Sequence, residues 1–158
     1  MTEYIIRKFE PQDLDQILEL FCNTVHTINS KDYSAEQINA WAPQQLDKER
    51  WASEFTEHIT YVAIKDAHIV GFGDATQDGE IDRLYTHKDF QGQGIASAIL
   101  KKLEEELAAL GITEVTTQAS ITAKPFFEKC GYAVMQSQEM KHRSGVIFLN
   151  YVMNKKLV

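Results

Sequence analysis

Leu84-Tyr85-Thr86-His87-Lys88-Asp89-Phe90-Gln91-Gly92-Gln93-Gly94-Ile95-Ala96 is the stretch on which the fold of this 158-residue chain turns. An apolar, β-leaning run enters it, a strongly amphipathic helix leaves it, and glycines two positions apart stand between. A strand–loop–helix junction of this kind points several main-chain N–H groups at one place, the positive end of a helix. A phosphate or pyrophosphate suits that place. A glycine pair alone is a weak signal and equally describes a tight turn, so the flanking chain must decide.

Downstream, Ile95, Ile99, Leu103 and Leu107 form one helical stripe, with Leu100 and Leu110 beside it and Lys101, Lys102 and Glu104 to Glu106 facing water. Gly111 ends this helix as its C′ residue. Residues 112–118 read as the next strand, parallel to the strand before the loop because a helical crossover joins them. Thr122 is expected to cap a short helix holding Pro125, Phe126 and Phe127 and ended by Gly131. Residues 132–135 and 146–153 then close the chain as a hairpin. Upstream, residues 61–64, 68–73 and 80–86 form an antiparallel meander, with a tight turn at Asp66-Ala67 and a hairpin signal at Asp78-Gly79. The chain begins with a strand over residues 4–9. A helix opened by Pro11 follows, then one capped by Ser34 with Gln37 in a capping box and stopped by Pro43, and a third helical piece over residues 47–55. The order predicts an α/β class chain: a mixed sheet with helices on both faces, in one domain over residues 1–158, with no repeat or linker.

Composition is that of an ordinary globular chain, 44% hydrophobic and 25% charged. The net charge of −7 argues against nucleic acid as a partner and is compatible with a cationic substrate such as an amine. No apolar run is long enough to span a bilayer, so no membrane partner is expected. Met1-Thr2-Glu3-Tyr4 lacks the pattern of a signal peptide, which makes the cytoplasm the expected compartment. Cys22 and Cys130 are then expected as free thiols. His26, His58, His68, His87 and His142 show no metal-ligand spacing, and no catalytic metal is expected.

Gln91-Gly92-Gln93-Gly94-Ile95-Ala96 resembles the Q/R-x-x-G-x-G/A signature of the GNAT superfamily of acyl-CoA-dependent N-acyltransferases. Leu84-Tyr85-Thr86-His87 stands where that family has the strand segment before its loop. Phe126-Phe127-Glu128-Lys129-Cys130-Gly131-Tyr132 stands where it has a helix ending in Gly-Phe or Gly-Tyr. Element order agrees over almost the whole chain. A narrower resemblance, to the bacterial YafP-like acetyltransferases, lies in residues 80–86, 119–123 and 125–127. A dinucleotide fold would need a third glycine where Ala96 stands, and a P-loop would need Lys-Ser/Thr where Ile95-Ala96 stands.

The resemblance implies a GNAT-like fold of about seven mostly antiparallel strands with a splayed parallel pair in the centre. It implies acetyl-CoA as co-substrate, with its pyrophosphate on the N–H groups of Gly92, Gln93, Gly94, Ile95 and Ala96, near Gln91 and Ser97. The pantetheine arm would pair like an added strand with main-chain groups of Leu84 and Thr86, beside Phe127. Acetyl transfer to a primary amine of a small molecule or peptide needs a base, an oxyanion donor and a proton source for the thiolate. Glu80 and Asp82 are the candidate bases, placed by period-two alternation on the face of Leu84; Asp82 could equally pair around Arg83. The oxyanion donor is a main-chain N–H near Leu84 or Tyr85. The family's usual acid is a Tyr four residues before the Gly of Gly-Phe/Tyr, and here that position is Phe127. A phenyl ring cannot donate a proton, which leaves Ser120, Tyr132 or water. His26, Asn29, Tyr33 and Trp41, with Trp51, are expected at the acceptor pocket, where aromatic faces and acidic groups suit a cation; the Trp residues equally suit a core and His26 a helix terminus. The C-terminal hairpin could support a homodimer. Set against an acetyltransferase stand a non-catalytic CoA-binding sensor, favoured by Phe127, a protein-interaction domain whose glycine loop is only a turn, and a nucleotide-phosphate binder.

Overall fold

Strands β1 (Ile5–Lys8), β2 (Ile59–Lys65), β3 (His68–Ala75), β4 (Glu80–Thr86), β5 (Glu114–Ser120), β6 (Ala133–Lys141) and β7 (Ile147–Lys156) form one sheet in the order β1-β2-β3-β4-β5-β7-β6. The computed structural model describes residues 3–157; Met1 and Thr2, part of the N-terminal segment read above, and Val158 lie outside the described residues. Every neighbouring pair of strands is antiparallel except β4 and β5. Helices α1 (Leu14–Thr27), α2 (Ala35–Trp41) and α3 (Lys48–Glu57) cover one face, and α4 (Ile95–Ala109) and α5 (Lys124–Lys129) belong to the other.

Strand alternation divides the core into two layers. Tyr61, Ala63 and Val70 face Ile95, Ile99, Leu103 and Leu107 of α4. Val62, Ile69 and Phe72 face Ile17, Phe21 and Val25 of α1 and Trp51 and Phe55 of α3. Helix α4 comes unusually close to β3 because Gly71 and Gly73 lie under it. A Cβ at Gly71 would stand 2.7 Å from Ile95 Cγ2. Helix starts follow local chemistry: Ser34 and Gln37 make the reciprocal capping box of α2, and Asp47 accepts from the Arg50 N–H at the start of α3. Pro11 opens a 3-10 turn, and the α-helix proper begins at Leu14.

Two expectations about local structure need correction. Thr122 does not cap α5: its hydroxyl donates to Asp32 Oδ2 at 2.7 Å, while Ser120 Oγ accepts the Ala123 N–H at 3.0 Å. Strand β6 runs to Lys141 rather than ending at Met135, because the Gln136–Lys141 stretch is exposed and held by its ladder with β7, so it carries no apolar alternation to read. A register shift between Val134 and Gln136 also breaks the period there.

The centre of the sheet comes apart. β4 pairs with β5 at Glu80↔Thr116 and Ile81↔Thr117, and the Thr117 hydroxyl donates to the Ile81 carbonyl at 3.0 Å. Beyond Ile81, β4 stays with β3 while β5 stays with β7 as far as Ser120↔Asn150. A second irregularity lies at the same level. Asp74 pairs with Arg83 and Ala75 with Ile81, so Asp82 is an extra residue in β4, a β-bulge. The bulge resets alternation. Ile81 and Leu84 both pack with the α4 layer, whereas Tyr85 packs with the α1 layer and Arg83 stacks on Trp51. Glu80 and Asp82 therefore do not share the face of Leu84, contrary to the simple period-two expectation.

Candidate active site

A cavity of about 840 Å³ occupies the fork between β4 and β5 and runs from the glycine loop to the β6–β7 hairpin. At the loop end, Gly92 and Gly94 have φ of +72° and +80°, in the left-handed region, and Gly94 is the N-cap of α4. The first helical bond there runs from the Ala98 N–H to the Gly94 carbonyl at 3.1 Å. This leaves the N–H groups of Ile95, Ala96 and Ser97 as the open donors of the first turn. A Cβ at Gly92 would meet nothing within 4 Å, and one at Gly94 only the Tyr4 hydroxyl at 3.8 Å. The glycines thus serve the backbone conformation and keep the approach to these donors clear. Gln91 Nε2 ties the loop to the end of β4, donating to the Thr86 carbonyl at 2.7 Å.

Along β4 the ladder assigns each main-chain group. The His87 N–H donates to the Val70 carbonyl at 2.8 Å, and Tyr85 pairs with Phe72. Tyr85 and His87 thus direct their N–H groups at β3, so the intervening Leu84 and Thr86 direct theirs into the fork. Of the two N–H groups expected as candidates for an oxyanion donor, that of Leu84 opens into the fork and that of Tyr85 does not. The Thr86 carbonyl is already engaged, accepting from the Thr24 hydroxyl at 3.1 Å as well as from Gln91.

Glu80 and Asp82 both line the cavity at the point of the fork. Burial, and then the Asp82 charge, push the Glu80 carboxyl above its ordinary value, against a weak contact from Gln118 Nε2 at 3.4 Å. Burial and the charge of Asp74 push Asp82 up as well, opposed by Arg83 and His58. Those last three residues form a cluster behind the bulge. Fully buried Asp74 accepts on Oδ2 from His58 Nδ1 at 2.8 Å and Arg83 Nη1 at 2.7 Å. Arg83 Nη1 is also 3.2 Å from Asp82 Oδ2. Its other nitrogen, Nη2, donates to Glu54, and its guanidinium lies 4.4 Å over the Trp51 ring. Ligand atoms of His58, Asp74 and Asp82 gather as they would around a metal ion, but the cation standing among them is Arg83. Sequence reading missed His58 and Asp74 as parts of the site and saw in Arg83 only a neighbour of Asp82. No local pattern links them: they lie on separate elements and meet through the sheet.

At the hairpin end, Asn29, Tyr33 and Trp41 line the cavity, joined by Met140, His142, Phe148 and Asn150 of the β6–β7 hairpin and its turn. The Tyr33 hydroxyl is fixed, donating to the Leu149 carbonyl at 2.9 Å and accepting the Ile121 N–H at 2.9 Å. Trp41 stands edge-on to Tyr33 and Phe148, with centroids at 5.3 and 6.1 Å. His26 is not part of this wall: its Nε2 lies 2.8 Å from the Ala42 carbonyl, bracing the end of α1 against α2. Trp51 belongs to the core, between Phe21, Phe55 and Arg83.

Phe127 lines the cavity and packs edge-on to Phe126 and Tyr132, both at 5.2 Å. Tyr132 is excluded as its replacement acid. Its buried hydroxyl donates to Glu104 Oε2 at 2.7 Å on the far side of the core, and burial and that carboxylate hold its proton far more tightly than usual. Ser120 does line the cavity; its oxygen accepts the Ala123 N–H, which leaves its own O–H to donate.

The family model described as an acetyltransferase (GNAT) domain matches residues 29–155. The uncharacterized N-acetyltransferase YafP of Escherichia coli strain K12 is 36% identical over 156 residues, covering 99% of this chain and 98% of YafP. The crystal structure of a GCN5-related N-acetyltransferase (Aminotransferase, Class-II) from Rhodopseudomonas palustris superimposes with a TM-score of 0.93 at 28% identity, over 99% of this chain and 98% of that one. The PaiA N-acetyltransferase of Thermoplasma acidophilum, solved in complex with coenzyme A, shares the fold at a TM-score of 0.79 and 21% identity, over 98% of this chain and 99% of that one.

Proposed function

The chain belongs to the GNAT acetyltransferase family, and from that premise we propose that it moves an acetyl group from acetyl-CoA to a primary amine of a small molecule or peptide. The observation that carries this reading is the opened edge of β4 beyond Ile81, which leads from two carboxylates straight to the glycine loop. Acetyl-CoA supplies the activated acetyl group. The N–H groups around Gly92, Gln93, Gly94, Ile95, Ala96 and Ser97 hold its pyrophosphate at the positive end of α4. Leu84, through its C=O, and Thr86, through its N–H, pair with the pantetheine arm, and Phe127 packs beside it. The Leu84 N–H donates to the thioester oxygen as charge develops there.

An ammonium group has no lone pair, so a carboxylate must first take its proton. Glu80 and Asp82 stand at the fork for that task, and their raised pKa values bring them nearer to neutral pH, where a general base works best. Ser120 is the protein donor for the departing thiolate, with water as its alternative. Asn29, Tyr33 and Trp41 receive the acceptor. Thermal unfolding with acetyl-CoA, followed by thiol release over a panel of amines, tests the reading. Stabilisation with turnover of at least one amine supports it. Phe127 in place of an acid favours a second reading, a non-catalytic CoA sensor, and stabilisation without turnover across chemically varied amines would select it.

A further inference from the structure

His58 ends α3 and is not part of the cavity wall, yet its Nδ1 faces two carboxylates at once, Asp74 Oδ2 at 2.8 Å and Asp82 Oδ2 at 3.9 Å. Arg83 Nη1 faces the same two oxygens at 2.7 and 3.2 Å. An imidazole and a guanidinium thus bridge two carboxylates. Charge counting shows why one cation does not suffice. Asp74 is fully buried, and its Oδ1 has no partner among the described residues, so its whole charge is met at Oδ2. Arg83 also serves Glu54, although Glu54 has a partner of its own in Arg50 at 3.0 Å. With Asp74 and Asp82 both ionised, Arg83 alone leaves one negative charge uncompensated next to a buried one, an expensive arrangement. A protonated His58 balances the set.

We propose that His58 is a positioning residue of the acetyl-transfer site: pinned by Asp74, it clamps the Asp82 carboxylate at the bulge together with Arg83 and keeps it anionic. This rests on Asp82 serving as the base in the proposed reaction. In that step the proton passes from the attacking amine nitrogen to Asp82, and from Asp82 to water, to which its side chain is 40% exposed. The groups that set His58 come from each element around it: Asp74 on β3, Asp82, Arg83 and Glu80 on β4, and Glu54 on α3, which acts through Arg83. The hydrogen bond that His58 donates to Asp74 raises its pKa first, and the charges of Asp74 and Asp82 add to that.

The test uses His58→Gln, a polar side chain of similar length that carries no charge. Carboxyl-carbon NMR titration of the whole protein reads Asp82 without any acceptor. Asp82 should titrate at higher pH in the variant than in the wild type. Reciprocally, the His58 imidazole should titrate at lower pH in Asp82→Asn, which keeps the inference testable if His58→Gln folds poorly. With an amine that the wild type turns over in the panel above as probe, kcat/KM of His58→Gln should fall about tenfold at the acid end of the profile and recover toward alkaline pH, with acetyl-CoA affinity unchanged. Identical Asp82 titration in wild type and His58→Gln, with identical His58 titration in Asp82→Asn, overturns the clamp and leaves acetyl transfer standing. Wild-type turnover by Asp82→Asn overturns the base assignment, and with it the catalytic part of this inference.

Discussion

Gly94 carries the sharpest consequence of a single residue. Its φ of +80° costs an L-residue roughly 1–2 kcal/mol, yet space for a Cβ is available, with the Tyr4 hydroxyl at 3.8 Å. Gly94→Ala should therefore fold, with Tm lowered by about 2–8 °C, while acetyl-CoA affinity by calorimetry drops at least about tenfold as the methyl group enters the anion's approach. Gly94→Glu adds charge repulsion and should abolish measurable binding; unchanged affinity in both would remove the loop from the site. Glu80→Gln and Asp82→Asn should instead leave acetyl-CoA binding within about twofold, and the one that acts as base should lose roughly 10²–10⁴-fold in kcat. The contrast reflects what was legible in the sequence. Loop and carboxylates were visible because their chemistry is local: glycines at fixed spacing, acids on one strand. The bulge at Asp82 was not visible, because a one-residue slip between β3 and β4 leaves no mark on either strand alone, and neither was the meeting of His58, Asp74 and Arg83 behind it. Tyr132 and His26 were misplaced for a related reason. An aromatic or imidazole side chain near a site in sequence can turn either way, and here both are tied to partners outside the cavity.

Among the elements, α4 couples packing to the ligand site. Its first residue, Ile95, sits over Gly71, and Ile99 sits over both Gly71 and Gly73. Gly71→Ala places a methyl group 2.7 Å from Ile95 Cγ2, so the N-terminal turn of α4 must lift away from β3. The cost should be about 1–3 kcal/mol by denaturant titration. Because the same turn supplies the N–H groups of Ile95, Ala96 and Ser97, acetyl-CoA affinity should fall with it. Full stability in Gly71→Ala would show that α4 can shift at no cost, and the coupling would be lost. Element order was readable because the amphipathic stripe of α4, the capping box of α2 and the hairpin at Asp78-Gly79 are short-range patterns. Gly71 and Gly73 read only as breaks in a strand, since their meaning lies in a helix more than twenty positions away. The length of β6 was hidden because its outer half is exposed and buries no apolar face.

For the whole molecule, charge sets stability against pH, and the site contributes on both sides. Burial alone would raise Asp13, but hydrogen bonds from Arg7 and the Glu10 N–H bring its carboxyl below the ordinary range, and Arg83 and Arg50 do the same for Glu54. These groups stabilise the fold above their unfolded values, about 4, and that stability is lost as pH falls through their lower folded values. His58 has the opposite sign. Its raised folded pKa gives stability that is complete below about 6.5 and lost as pH rises through the folded value. Calorimetric Tm should thus decline on both flanks, and His58→Gln should remove the His58 part of the alkaline decline. Glu80 adds a cost rather than a gain. Its carboxyl is raised by burial and by Asp82, so its charged form costs more in the folded chain than in the unfolded one. Glu80→Gln should then raise Tm at pH 7 by roughly 1–2 °C and lose that advantage as pH falls through the raised folded value of Glu80 toward the unfolded value of about 4. Glu19→Gln, an exposed position on α1, makes the same change in net charge and should not reproduce the gain. A Glu80→Gln variant no more stable than wild type at pH 7 would mean that the fork bears this carboxylate without strain. If Glu80→Gln is more stable and slower to acetylate, the charge that destabilises the fork is the charge the reaction uses.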